Sequence, residues 1–315
     1  MDYRILGDSQ LKVSRLCFGS LTIGPLQANL SLLEGAAVIK SAFDMGVNFI
    51  DTAELYGTYD YIRKAVNGRR EDIIISTKCY AYTQEGAEKS LKKALDELET
   101  DYIDIFSLHE QESDLTLKGH QEAIEYFMKA KEKGYIRSFG ISTHAIAAVK
   151  ASLKYKEIEV LHPIINKRGL GIIDGSINEM LDAVAEANKA GKGIFSMKPL
   201  GGGNMIKESA ECFDFVLSNE NLHSIAVGMQ STEEVMSNVA VFEGKRVPED
   251  ISLKLSSKKR KLLIDYWCSG CGNCCKNCAQ KALTLENGKA VVDPNKCVLC
   301  GYCSAYCPDF CIKVI

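Results

Sequence analysis

Eight cysteines near one end of this chain limit what that end can become. Cys268, Cys271, Cys274 and Cys278 follow the spacing C-x2-C-x2-C-x3-C. Cys297, Cys300, Cys303 and Cys307 repeat it, and only the second run closes on a proline, Pro308, where the first has Ala279. Thiolates at such short intervals let the backbone curl around one corner of a four-iron cube, which takes three ligands from one loop and a fourth from elsewhere. One zinc ion is satisfied by two C-x2-C pairs, so two four-cysteine runs exceed what a single zinc ribbon uses. Two zinc ions or a disulfide framework are the competing readings. The opening stretch MDYRILGDSQ lacks the apolar core of a secretory leader, which favours reduced thiols and a cytoplasmic setting.

Composition places a boundary ahead of these runs. Ten of the thirteen cysteines follow residue 267, and only Cys17, Cys79 and Cys212 precede it. A chain of 315 residues is long enough for one large and one small domain. The expected division is a large domain over 1–250, a linker or helix over 251–266 and a metal-binding module over 267–315. The net charge of −3 argues against a general attraction to nucleic acid or an anionic membrane. No apolar run reaches the ~18 residues that a membrane span requires.

Residues 1–250 alternate eight strand-like runs, from RLCFG at 15–19 to HSIAVG at 223–228, with stretches of helical periodicity such as LLEGAAVIKSAFDMG and GAEKSLKKALDELET. Eight strand–helix units in that span imply an α/β fold, a parallel (β/α)8 barrel, with an open doubly wound sheet as the alternative. The segment YRILGDSQLKVSRL reads as a hairpin turning at Gly7–Ser9, placed to plug the bottom of the barrel. LTLENGKAVVDPNKC, with Asn287-Gly288 at its turn, reads as a hairpin between the two cysteine runs, inside a small α+β module.

A barrel of this kind collects its chemistry at the C-terminal ends of the strands. Asp51 ends the second strand, Tyr56 follows in its loop, Lys78 ends the third and His109 the fourth. Each alone has an ordinary reading as a loop cap, a rim aromatic, a surface cation or a structural hydrogen-bonder. The stretches DTAELYG, STK, LH and IRSFGIS resemble the signatures of the aldo-keto reductase superfamily, and the resemblance extends over most of residues 3–243. It implies an NAD(P)-dependent oxidoreductase that interconverts a small carbonyl compound and its alcohol by hydride transfer. Tyr56 would be the proton donor, Lys78 paired with Asp51 would lower its pKa, and His109 would orient the carbonyl. Physical chemistry favours the same roles. A tyrosine titrates near 10, so proton exchange near neutral pH calls for a nearby cation, and a carboxylate keeps a buried lysine charged.

The resemblance also implies cofactor contacts. Ser142 and Asn166 would meet the nicotinamide carboxamide, although Thr143 stands where the family has asparagine. Met197 would cover the ring in place of an aromatic residue. Lys198, Pro199, Leu200 and Gly201 of MKPLGGGN would surround the pyrophosphate, and Gly228, Glu234 and Asn238 of VGMQSTEEVMSN the adenosine. Between Gly228 and Asn238 the chain has two glutamates and no cation, which predicts that NADH binds at least as tightly as NADPH. His162, at the end of the sixth strand, is a further candidate for touching substrate.

The cysteine runs are similar to those of a ferredoxin module with two [4Fe-4S] clusters. That similarity implies one cluster on Cys268, Cys271, Cys274 and Cys307, and another on Cys297, Cys300, Cys303 and Cys278. Cys275 and Cys311 are then supernumerary, Cys275 expected to point outward or pack and Cys311 to pack as a small hydrophobe. Hydride transfer moves two electrons and a cube moves one, so exchange between them needs a converter such as a flavin, for which no motif is visible. Three roles stay open for the module: structural, electron transfer to a redox partner protein, or exchange with a flavin in the barrel. The rival to the enzyme is an electron-transfer protein whose barrel serves as a docking scaffold or flavin carrier.

Overall fold

The computed structural model describes residues 1–315. Strands β1 (Tyr3–Ile5) and β2 (Lys12–Ser14) pair antiparallel around a turn at Gly7–Ser9. Eight further strands follow: β3 (Leu16–Gly19), β4 (Phe49–Asp51), β5 (Ile74–Cys79), β6 (Ile103–Leu108), β7 (Ile136–Thr143), β8 (Val160–Pro163), β9 (Gly193–Met197) and β10 (Ser224–Gly228). Each pairs in parallel with the next, and β10 closes on β3, so the sheet is a closed barrel and not an open one. Every residue of β5 and β6 is buried, the mark of a parallel strand covered on both faces.

The covering helices are α1 (Leu32–Asp44), α2 (Tyr59–Val66), α3 (Gln84–Leu98), α4 (Asp114–Gly119), α5 (Gln121–Glu132), α6 (Ile146–Ser152), α7 (Ile177–Lys189), α8 (Ser209–Leu217) and α9 (Thr232–Phe242). Several begin where a serine or threonine satisfies a free backbone N–H, as Ser31 does for α1 and Ser176 for α7. Their inner faces and the outer faces of the strands form one continuous core of 60 buried residues. A second core fills the barrel interior. There Phe49, Ile74, Ile105, Val160 and Phe195 meet Leu6, Leu11 and Val13 of the hairpin, which therefore closes the lower end. At Gly193 a β-carbon would lie 2.5 Å from the Leu6 carbonyl oxygen, so the close approach of hairpin to barrel depends on glycine there.

Beyond the barrel come α10 (Glu249–Ser257), β11 (Leu262–Ile264), α11 (Asn273–Lys276), β12 (Leu283–Glu286), β13 (Lys289–Val292) and β14 (Ile312–Val314). β12 and β13 form the hairpin between the cysteine runs, with Asn287 and Gly288 both at positive φ as a tight two-residue turn demands. β11, within the span read from sequence as linker, instead pairs antiparallel with β14 at the far end of the module. The module's own core is only seven buried residues, two of them cysteines. It rests on the end of the barrel where the strands finish. Val314 N–H donates to the Gly202 carbonyl at 3.0 Å, Asn204 Nδ2 donates to the Ile312 carbonyl at 2.9 Å, and Phe310 is buried in the barrel's larger core. No helix is long and apolar enough to cross a membrane.

Candidate active site

The ends of β4, β5 and β6 bring four polar side chains together. Lys78 Nζ donates to Asp51 Oδ1 and to the Thr52 carbonyl, both at 2.6 Å, and the lysine is only 1 % exposed. Burial by itself would raise the Asp51 carboxyl; Lys78 and His162 outweigh it and bring Asp51 to about 2. The same ammonium lies 5.1 Å from the centre of the Tyr56 ring, and the His109 ring stands edge-on to Tyr56 at 5.8 Å. Burial, then Lys78, push the His109 pKa well below the usual histidine range, so its imidazole is neutral. Its Nδ1 is buried without a hydrogen-bond partner, and Tyr80 stacks on it at 4.5 Å.

One expectation is reversed in the ligand-free site. Lys78 was read as lowering the Tyr56 pKa, but burial, reinforced by Asp51 and Glu110, raises it well above 10. His162, read as a possible substrate contact, lines the cleft and also supports Asp51. Its Nδ1 meets the Phe195 carbonyl at 2.7 Å and its Nε2 lies 3.5 Å from Asp51 Oδ2. Nothing near it in sequence signals that role.

A cleft of 680 Å³ runs from Asp51 and Tyr56 across the barrel end to α9 and α10. Met197, Lys198, Pro199, Leu200, Gly228, Glu234 and Asn238 all line it. Other expected contacts lie elsewhere. Gly201 sits behind the wall, its N–H donating to the Lys198 carbonyl. Ser142 Oγ accepts from the Glu110 N–H at 2.9 Å. Asn166 spends both ends of its carboxamide on the Leu170 backbone at 2.9 Å, which leaves it fastening its own loop and not facing a ligand. Lys198 Nζ meets His144 Nε2 at 2.8 Å.

The barrel has counterparts among known proteins. The model of the "Aldo/keto reductase family" matches residues 15–214. The chain belongs to the aldo/keto reductase family. Among curated relatives, L-galactose dehydrogenase of Arabidopsis thaliana is 26 % identical over 282 residues, covering 76 % of this chain and 88 % of that one. Methylglyoxal reductase DkgA of Yersinia pestis is 25 % identical over 190 residues, 56 % of this chain and 66 % of that one. In structure, the holo form of an aldo-keto reductase from Bacillus halodurans superposes with a TM-score of 0.66 at 23 % identity, covering 81 % and 95 % of the two chains, a likeness of fold. A second family model, "4Fe-4S binding domain", matches residues 290–313, which hold the second cysteine run.

In this chain the C-terminal module forms part of the cleft wall, through Leu299, Lys313, Val314 and Ile315. The glycine run was read as a pyrophosphate turn, and it has a second reason to be glycine. A β-carbon on Gly203 would lie 2.0 Å from the Val314 carbonyl oxygen, and one on Gly202 would lie 2.7 Å from Lys313 Cδ. The thiols fall into two neighbourhoods. Cys303 has Cys300, Cys297 and Cys278 around it, whereas Cys307 adjoins Cys274 and Cys311. Cys311 is buried in the module core as packing requires, yet its Sγ is 3.4 Å from Cys307 Sγ. No three His, Cys, Asp or Glu side chains converge on one point as a single-ion site would require.

Glu234 differs most from its sequence reading. The Gln230 N–H donates to its Oε2 at 2.7 Å, and two cations from beyond α10 converge on its Oε1: Lys258 at 2.8 Å and Arg260 at 3.3 Å. The stretch between Gly228 and Asn238 has no cation of its own, but it meets two from outside it, which the NADH expectation did not take into account.

Proposed function

We propose that this chain is an NAD(P)-dependent oxidoreductase that interconverts a small aldehyde or ketone and its alcohol. The observation that carries this reading is the buried Lys78–Asp51 pair set beside Tyr56 at one end of the cleft. The residues present suit a dinucleotide, because Gly202 and Gly203 line the cleft and their N–H groups donate to no protein acceptor, an arrangement that favours phosphate. A reduced nicotinamide bound there would supply the hydride.

Tyr56, kept protonated by burial, delivers its proton to the carbonyl oxygen as negative charge builds there. Lys78 offsets the tyrosinate that remains, and Asp51 with His162 holds the ammonium in place. Neutral His109 donates a hydrogen bond to the same oxygen. In the module, Cys268, Cys271, Cys274 and Cys307 would hold one [4Fe-4S] cluster and Cys297, Cys300, Cys303 and Cys278 another. The two thiol neighbourhoods favour that crossed grouping. Such clusters would cross-link a small core and supply one-electron chemistry toward a redox partner. Thiolate ligation would favour a reducing compartment such as the cytoplasm.

One anaerobic preparation tests these roles. It should contain about eight irons and eight sulfides and oxidise NADH or NADPH with short aldehydes. Tyr56→Phe should lower turnover by on the order of 100-fold or more while dinucleotide binding barely changes. Full activity in Tyr56→Phe would overturn the mechanism. Cluster reduction without any carbonyl turnover would make the protein an electron carrier instead.

A further inference from the structure

Where β7, β9 and the module meet, a second group of charged side chains is set deep in the protein, apart from the four catalytic residues. Lys198 lines the same cleft as Tyr56. Its backbone is left-handed at φ 59, unusual for a residue other than glycine and a conformation that functional sites tend to retain. The only hydrogen-bond partner of its ammonium is His144 Nε2. Burial, then Lys198 itself, push the His144 pKa well down, so that ring is a neutral acceptor. No carboxylate lies within ion-pair distance of Lys198, and two of its three N–H donors meet no protein acceptor.

A second lysine, Lys313 of the module, is 4 % exposed and lines the cleft as well. Its Nζ bonds the Phe310 carbonyl and lies 3.4 Å from the Phe310 ring centre, while Lys198 lies 5.1 Å from the same ring. Lys198 is also close enough to His109 to help hold that imidazole neutral. A half-buried ammonium with no anion in contact is costly, and its spare donors suit a carboxylate or phosphate oxygen.

We propose that Lys198 holds an anionic group of the substrate, so that the reductase prefers short carbonyl compounds bearing a carboxylate or phosphate over neutral ones. The inference rests on the carbonyl-reduction reading above. Burial brings the Lys198 pKa down to about 8, and an anion bound at Nζ keeps that ammonium charged. The Phe310 ring and Lys313 form the floor behind it, which makes the cluster module part of the substrate pocket.

The test uses the cluster-loaded protein, with malonate and inorganic phosphate as unreactive probes and uncharged malonamide as control, followed by calorimetry. At least one anion should bind the unmodified protein and malonamide should not. Which of the two binds identifies the substrate's group. Lys198→Met should weaken that binding about 10- to 100-fold, and Lys198→Arg should retain most of it, with iron content equal in all three proteins. In turnover, the glyoxylate-to-glycolaldehyde ratio of kcat/KM should fall by a similar factor in Lys198→Met. An unmodified protein that binds neither anion overturns the proposal. So does a Lys198→Met protein that loses NADPH affinity while keeping its glyoxylate preference, because the ammonium would then serve the dinucleotide's phosphates. Anion binding through Lys198 in a protein that reduces no carbonyl compound would leave the anion site standing and remove the reductase reading.

Discussion

Asp51 shows how one side chain serves both chemistry and stability. Its carboxylate faces Lys78 at 2.6 Å, with the two side chains only 7 % and 1 % exposed. A buried ion pair is weak support for a fold, but breaking one leaves an uncompensated charge. Asp51→Asn should therefore cost about 3–5 kcal/mol in a denaturant titration, and adding Lys78→Met to that variant should recover part of the loss. An Asp51→Asn protein as stable as the parent would show that the charge is not dry. The pH dependence follows from a folded pKa of about 2 against about 3.9 for a free aspartate. Because the folded value is depressed, the pair's stabilisation is complete above pH ~4 and is lost as pH falls toward 2. Asp51, Lys78 and His109 could be grouped from the sequence because each lies at or just past the end of an apolar run that reads as a buried strand, and Tyr56 follows in the loop after the first of them. Asn166 was misread because its carboxamide bonds Leu170 four residues on, a choice made by loop geometry that no spacing encodes.

Elements were legible where local rules dominate. The plugging hairpin, the eight strands and the Asn287-Gly288 turn each carry their signal within about ten residues, through β-branched runs and turn chemistry. The glycine loop after β9 carried a signal with two meanings. Its glycines were read as room for a phosphate, whereas Gly203 at φ +83 also admits the Val314 carbonyl. Gly203→Ala therefore meets both backbone strain and a clash with β14. Gly244→Ala, at φ +67 with nothing within 4 Å, meets strain alone. The Gly203 variant should lose iron to a chelator several-fold faster than the parent, with the Gly244 variant close to the parent. Equal rates for all three would mean that β14 does not depend on the loop for its seat.

At the scale of the whole molecule, the segment joining barrel and module does more than connect them. Residues 24 and 26 positions beyond Glu234 return to it, an encounter fixed by the docking of β11 on β14 and invisible to any local pattern. Lys258 also donates to Gln230 Oε1 at 3.1 Å, but Arg260 has no acceptor besides Glu234, so most of its guanidinium donors are free. One carboxylate facing two cations leaves a net positive corner at the α9–α10 end of the cleft. A 2′-phosphate placed there gains a charge-assisted contact that a ribose hydroxyl cannot match, worth about 1.5–3 kcal/mol when partly shielded from water. NADPH should accordingly bind the parent protein at least tenfold more tightly than NADH. Arg260→Ala should bring the two close to parity by weakening NADPH alone, and raising salt should narrow the gap in the parent. Fluorescence titration of both dinucleotides against both proteins reads this directly. If the parent binds NADH as tightly as NADPH, Lys258 and Arg260 serve only to neutralise Glu234 and hold the joining segment against α9.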